Sequence, residues 1–228
     1  EDVALVALFD TKSGDLTRED IKFAKAITSR GIAFLVMNRD MERLIELKRR
    51  YLKSFQTISQ AVSSTLDVNK VLQLAVNAIG EVLGTTGAQI RLLNTKNNQL
   101  ELAASQGLSE RFLSIGPVYS KRGTDSDRSS RVVVINDVKN EPRIQYKEAI
   151  LAESINTIVT APMAIKGKII GELTLFTGAG RGFSEEEIEF TKAIAQQCAL
   201  AIDNARIYQR IKDEYQHLLE DFGYEGSS

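Results

Sequence analysis

The chain has 228 residues, which at about 150 residues per domain is one large domain or one and a half small ones. With 43% apolar and 26% charged residues it has the make-up of an ordinary globular protein. Its 29 Lys and Arg nearly balance 30 Asp and Glu, leaving a formal charge of -1, so no global positive field draws nucleic acid or anionic lipid.

In chain order, an apolar strand at residues 3–9 leads through a polar turn into a long helix over residues 17–65. Asp67 then offers an N-cap, and Val68, Val71, Leu72, Ala75, Ala78, Ile79 and Val82 recur at helical spacing until Gly84. Two strands, 88–93 and 99–104, flank Asn94-Thr95-Lys96-Asn97-Asn98, a hairpin signal. A short helix starts near Glu110. Residues 118–131 are polar and rich in Gly, Ser and Asp, and read as a flexible loop. A short strand at 131–135 and a helix at 146–152 precede a second hairpin, 157–165 and 169–176, turning at Lys166-Gly167-Lys168. All three prolines, Pro117, Pro142 and Pro162, fall in this middle region, so both ends are free to be long uninterrupted helices.

The chain also repeats itself. At an offset of 167 residues, Ile21, Phe23, Lys25, Ala26 and Ile27 fall on Ile188, Phe190, Lys192, Ala193 and Ile194, without a gap. The register begins at Leu8-Phe9 over Leu175-Phe176 and continues through Arg39 over Arg206, Arg43 over Arg210, Leu52 over Leu219 and Phe55 over Phe222. The expectation is a chain that begins inside one module and contains a second, complete one.

The second copy resembles a known family, the GAF domain, a regulatory module that binds small molecules. The resemblance rests on Leu66-Asp67-Val68-Asn69-Lys70-Val71-Leu72, Ala88-Gln89-Ile90-Arg91-Leu92-Leu93 and Ala104-Ser105-Gln106-Gly107-Leu108-Ser109. It continues through Val133-Val134-Ile135-Asn136-Asp137-Val138, Pro142-Arg143, Ala161-Pro162-Met163 and Gly171-Glu172-Leu173-Thr174-Leu175-Phe176. Phe183-Ser184-Glu185-Glu186-Glu187 and Asn204-Ala205-Arg206 close the series. It implies an α+β fold of the GAF (PAS-like) kind: an antiparallel sheet with terminal helices on one face and a ligand pocket on the other, preceded by a long N-terminal linker helix. The implied domains are residues 1–45, the last strand and helix of an upstream GAF domain; 46–66, an entry helix; 67–183, the sheet and pocket; 184–222, a signalling helix; and 223–228, a disordered tail.

Both long helices carry a seam of alternating three- and four-residue steps, as in a coiled coil. It includes Ile27, Phe34, Met41, Ile45, Leu52 and Phe55 in the first helix and Ile194, Ala201, Tyr208 and Tyr215 in the second. One reading is a helix lying on its own sheet. The other is a parallel homodimer, favoured because a helix over residues 17–65 is about 70 Å long at ~1.5 Å per residue, more than one small domain covers. Asn38, Lys48 and Lys212 interrupt the seam and set its register.

The remaining chemistry is sparse. Gly178-Ala179-Gly180-Arg181-Gly182 before a helix suggests a phosphate loop, but Ser184 and Glu187 form a capping box, and Glu185, Glu186 and Glu187 put negative charge where a phosphate would sit. The single cysteine, Cys198, excludes an intrachain disulfide framework and a multi-thiolate metal site. It sits on the helical seam as a small buried side chain, and His217 reads as a solvated surface residue. Some GAF proteins reduce free methionine sulfoxide with pocket cysteines. This chain has none there, and neither catalytic residues nor a metal site are expected.

By position in the family, the polar groups facing a pocket are Arg91, Asp137, Arg143, Tyr146, Thr157 and Thr160, with apolar walls from Ile135, Ile150, Val159 and Leu173. The bland alternative is that Asp137 caps a turn, Arg143 pairs with Glu141 or Glu148, and strand threonines are commonplace. The ordered residues of cyclic-nucleotide-binding GAF domains, a bilin-attaching cysteine and a pocket histidine for haem are all missing. An unidentified small organic or anionic ligand, or none, is left.

The resulting expectation is a sensory module of a signal-transduction protein, such as a two-component system, coupled through dimeric helices to an output domain such as a histidine kinase or diguanylate cyclase. The alternative is a structural dimerisation module without a ligand. A cytoplasmic location is expected, with no nucleic-acid partner and no membrane contact, since no apolar run approaches the ~18 residues of a membrane span and no signal peptide opens the sequence.

Overall fold

The computed structural model describes residues 17–119 and 131–221, with side chains described to residue 218. The strand expected at residues 3–9, the loop at 121–130, Phe222 and the tail at 223–228 lie outside the described residues. The chain divides into two units, Glu1–Arg50 and Tyr51–Ser228.

Helix α1 (Arg18–Ser64) starts at a reciprocal cap. The Thr17 hydroxyl accepts the Asp20 N–H at 3.2 Å, and the Asp20 carboxylate accepts the Thr17 N–H at 2.9 Å. Within the first unit all its large apolar side chains but Leu47 are exposed, Phe23 by 70% and Leu35 by 65%.

The second unit is built on a six-stranded antiparallel sheet in the order β3-β2-β1-β6-β5-β4. The strands are β1 (Gly87–Asn94), β2 (Gln99–Gln106), β3 (Val118–Tyr119), β4 (Val133–Ile135), β5 (Thr157–Ile165) and β6 (Lys168–Thr177), and the helices after α1 are α2 (Val68–Leu83), α3 (Glu110–Leu113), α4 (Lys147–Ala152) and α5 (Glu185–Asp221). Helix α2 is bounded as its sequence dictates: Asp67 accepts the Lys70 N–H at 3.2 Å, and Gly84 closes the helix in the left-handed region at φ 57°. The β5–β6 hairpin turns through Lys166 and Gly167, both at positive φ (48° and 80°), the turn whose twist matches that of the strands. The capping box at the start of α5 forms in both directions, Glu187 N–H to Ser184 Oγ at 3.2 Å and Ser184 N–H to Glu187 Oε2 at 2.9 Å.

One face of the sheet carries the main core. Ile58 and Val62 from the end of α1, Leu72, Ala75 and Ile79 from α2, and Ile194, Cys198 and Ala201 from α5 are buried against Ile90, Ala161, Met163, Leu173 and Leu175. Tyr51 stacks on Phe190 with ring centroids 4.5 Å apart. This corrects three expectations. Ile194 and Ala201, placed on a dimer seam, lie in the module's own core at 0% and 5% exposure, and Phe55 is half-buried against it. Here the stripe with coiled-coil spacing is the core-facing stripe. Val118 and Tyr119, the first residues of the stretch read as a loop, form β3, paired with Leu100 and Gln99.

Two tests follow from this packing. A Cβ at Gly171 would stand 2.5 Å from the Arg91 carbonyl oxygen across β1, whereas one at Gly182 meets nothing within 4 Å. Gly171→Ala should therefore destabilise the chain by about 1–3 kcal/mol in urea titration, and Gly182→Ala by much less. Full burial pushes the Cys198 thiol up to about 12, and the thiolate is the reactive form. A disulfide reagent at pH 8 should leave Cys198 unmodified in the native chain and titrate it fully in denaturant.

Candidate functional site

The opposite face of the sheet carries a cavity of about 290 Å³, walled by α3, β3, β4, α4 and the residues before α4. A second, smaller core of Phe112, Val138, Ile150, Ile155, Ile158 and Phe176 supports it, with Phe112 and Phe176 edge to face at 5.8 Å. Polar links hold the walls in place. The Ser109 N–H and hydroxyl both donate to the Glu153 carboxylate, tying the cap of α3 to the end of α4. The Tyr119 N–H donates to Gln145 Oε1 at 3.1 Å, and the Tyr146 hydroxyl donates to the Pro117 carbonyl at 3.0 Å, so β3 is fastened to the segment entering α4. Tyr146 holds φ 55°, a conformation unfavourable for an aromatic residue, and its ring forms part of the lining.

Strand alternation decides which predicted residues reach the cavity. On β5, Ile158 and Thr160 line it. Thr157 and Val159 are offset by one residue and face the helices with Ala161 and Met163. Leu173 on β6, paired with Ala161, is buried in the main core. The assignments of Thr157, Val159 and Leu173 to the pocket are therefore corrected. Asp137 is corrected too: its carboxylate accepts the backbone N–H of Lys139 at 3.1 Å and the side-chain amide of Asn140 at 2.6 Å, capping a turn away from the lining. Those bonds hold Asp137 below the usual carboxylate range.

Arg91, Arg143, Tyr146, Thr160, Ile135 and Ile150 do line the cavity. Arg143 sits at its rim and chelates Glu141, with Nε to Oε1 at 2.7 Å and a terminal nitrogen to Oε2 at 2.9 Å. Hydrogen bonds from Arg143 lower Glu141 to about 2, and the same pairing raises Arg143. Arg91 rises from the floor. Its Nε donates to Gln89 Oε1 at 3.3 Å and a terminal nitrogen donates to the Leu100 carbonyl at 3.1 Å. An irregularity in the β1–β2 register between Ile90 and Arg91 accompanies this arrangement, and such bulges re-aim side chains.

Further lining residues escaped the sequence reading: Gln89, Glu172 and Thr174 among the polar ones, and Phe112, Tyr119 and Phe176 among the aromatics. Gln89 pairs with Thr174, Thr174 with Thr160, and Arg91 with Glu172, so a polar band crosses β1, β6 and β5. The available signal was polar residues two apart within otherwise apolar strands, Gln89 with Arg91 and Glu172 with Thr174. Among the described residues, no group of three or more His, Cys, Asp or Glu could hold a metal, and no helix is long and apolar enough to cross a membrane.

Comparison with known proteins places this architecture. The chain is 23% identical over 175 residues to the formate hydrogenlyase transcriptional activator of Salmonella typhimurium strain SL1344, an alignment covering 72% of this chain and 25% of that protein. The chain thus spans about a quarter of the length of that curated relative. Among solved structures it resembles the GAF domain of a phosphoenolpyruvate-protein phosphotransferase from Coxiella burnetii, with a TM-score of 0.61, 21% identity, and coverage of 71% of this chain and 98% of that one. It also resembles a fragment of a methyl-accepting chemotaxis protein, with a TM-score of 0.56, 25% identity, and coverage of 66% and 98%. GAF domains thus occur in signalling proteins such as chemotaxis receptors and transcriptional activators. The GAF domain family profile matches residues 65–203, more than half of the chain, and the chain belongs to the GAF domain family.

Proposed function

We propose that this chain is a sensory module in which a small molecule bound in the sheet cavity biases the arrangement of α1 and α5, and so controls an output domain. The observation carrying this reading is the sharing of strands between two faces. On β5, Ile158 and Thr160 line the cavity while Val159, Ala161 and Met163 face the helices. A ligand moves the helices only to the extent that it binds their two arrangements with different affinity. This reading asks for no catalytic residues in the module, and neither histidine nor cysteine is among the described lining residues to hold haem or bilin.

The helices would act as a parallel homodimer. Ile27, Phe34, Met41, Ile45, Leu52, Tyr208 and Tyr215 remain exposed by more than half. On α5 the exposed apolar stripe runs through Leu200, Ile207, Ile211 and Leu218, one residue out of phase with the core-facing stripe. The first unit reads as the end of an upstream GAF module. At the repeat offset, Ile32, Phe34 and Leu35 correspond to Ala199, Ala201 and Ile202, which are buried on their sheet, while their counterparts are exposed by 40%, 59% and 65%. An exposed apolar run such as Ile32-Ala33-Phe34-Leu35-Val36-Met37 is normally covered by a partner surface.

A metabolite library screened by thermal shift tests the sensing reading. Saturable, concentration-dependent stabilisation that is abolished by the cavity-filling Thr160→Phe is expected. Silence across a broad library would favour a dimerisation module without a ligand. Light scattering should give a dimer, and a concentration-independent monomer would contradict the helical seam.

A further inference from the structure

The cavity contains an unbalanced charge. Arg91 is only 8% exposed, and burial lowers its pKa, the mark of a cation separated from water without full compensation. Of the five guanidinium N–H groups, one is given to Gln89 Oε1 and one to the Leu100 carbonyl. Both acceptors are neutral, and the other three N–H groups have no partner among the described residues. Glu172 lies opposite Arg91 across the β1–β6 pair, yet no ion pair joins them, and Glu172 is engaged in an interaction of its own. Arg143, the other arginine of the lining, is neutralised by its chelate with Glu141.

The geometry points to Arg91 as the anchor for a monocarboxylate with a compact apolar body. This deepens the sensing reading and rests on it. A guanidinium fork matches a carboxylate through two parallel hydrogen bonds, and a single negative charge would balance the single uncompensated positive one among the described lining residues. Phosphate is a poorer match. Its second charge would find no free cation among the described lining residues. The walls specify the rest of the molecule: Phe112, Ile115, Ile135, Ile144, Ile150 and Phe176 offer contact surface but no hydrogen bonds from their side chains. Thr160 and Thr174, 3.4 Å apart on the floor, add two hydroxyls to the same lining as Arg91.

The test uses the 228-residue chain and three probes of one shape: phenylacetate, the neutral phenylacetamide, and phenyl phosphate. Calorimetry should show phenylacetate binding at least about tenfold more tightly than the amide, as expected for a charge-assisted pair away from water, and more tightly than phenyl phosphate. Arg91→Gln should remove that preference, and Arg91→Lys should keep part of it. The melting temperature of ligand-free Arg91→Gln should match or exceed that of the parent, since a buried charge has been removed; a purely structural arginine would give a clear loss. Equal binding of acid and amide to the parent chain would overturn the anion assignment, whatever the variants do, and leave the cavity a ligand site. Tighter binding of phenyl phosphate would overturn it in favour of a dianion. No binding of phenylacetate at about 10 mM would also overturn it. The sensing reading would then fall only if the metabolite library were silent as well.

Discussion

A single sheet with two different faces is the constraint on which the rest of the structure depends. In β1, β5 and β6, successive side chains must point to opposite sides, and both sides are occupied. Ile90, Ala161, Leu173 and Leu175 go to the helices; Gln89, Arg91, Ile158, Thr160, Thr174 and Phe176 go to the cavity. A one-residue slip in any of these strands would put a charged or hydroxyl group into the main core and an aliphatic one onto the cavity floor. Register is therefore protected by the core and fixed by tight features: the Lys166-Gly167 turn, and the close approach of Gly171 to the Arg91 backbone. The same register delivers the Arg91 guanidinium to the floor.

Where the sequence was legible, the reason is local. Asp67 and Gly84 bracket α2 with capping chemistry that acts within a few residues, and Ser184 with Glu187 does the same for α5. The turn residues of the second hairpin likewise require only their own dihedral angles. Face assignment was less legible. β5 is buried on both sides, so Thr157, Ile158, Val159 and Thr160 show no contrast that says which pair looks into the cavity, and only the pairing with β6 resolves it. The polar band was visible in principle as Gln89 with Arg91 and Glu172 with Thr174, but its meaning depends on the four being neighbours across strands. Asp137 and Arg143 show the complementary difficulty. Both lie in motifs of the family, and both are committed to nearby groups, Asn140 and Glu141.

The long helices pose a subtler ambiguity. A stripe at three- and four-residue spacing fits a core and a coiled coil equally well. In α5 the first such stripe, through Ile194, Cys198 and Ala201, is used by the core, and a second one displaced around the helix through Ile207, Ile211 and Leu218 is left outside. One helix can therefore hold its own sheet and still present an apolar surface to a partner. Under the proposed function that double use would be the physical basis for coupling the cavity to anything beyond the module, because the strands that line the cavity on one side touch α5 on the other.

Amide hydrogen exchange on the chain, with and without a saturating cavity ligand, probes the proposed coupling. Altered protection is expected in β5 and β6 together with the half of α5 beyond Ile202, which lies outside the core. Altered protection confined to the cavity walls, with that half of α5 unchanged, would contradict it.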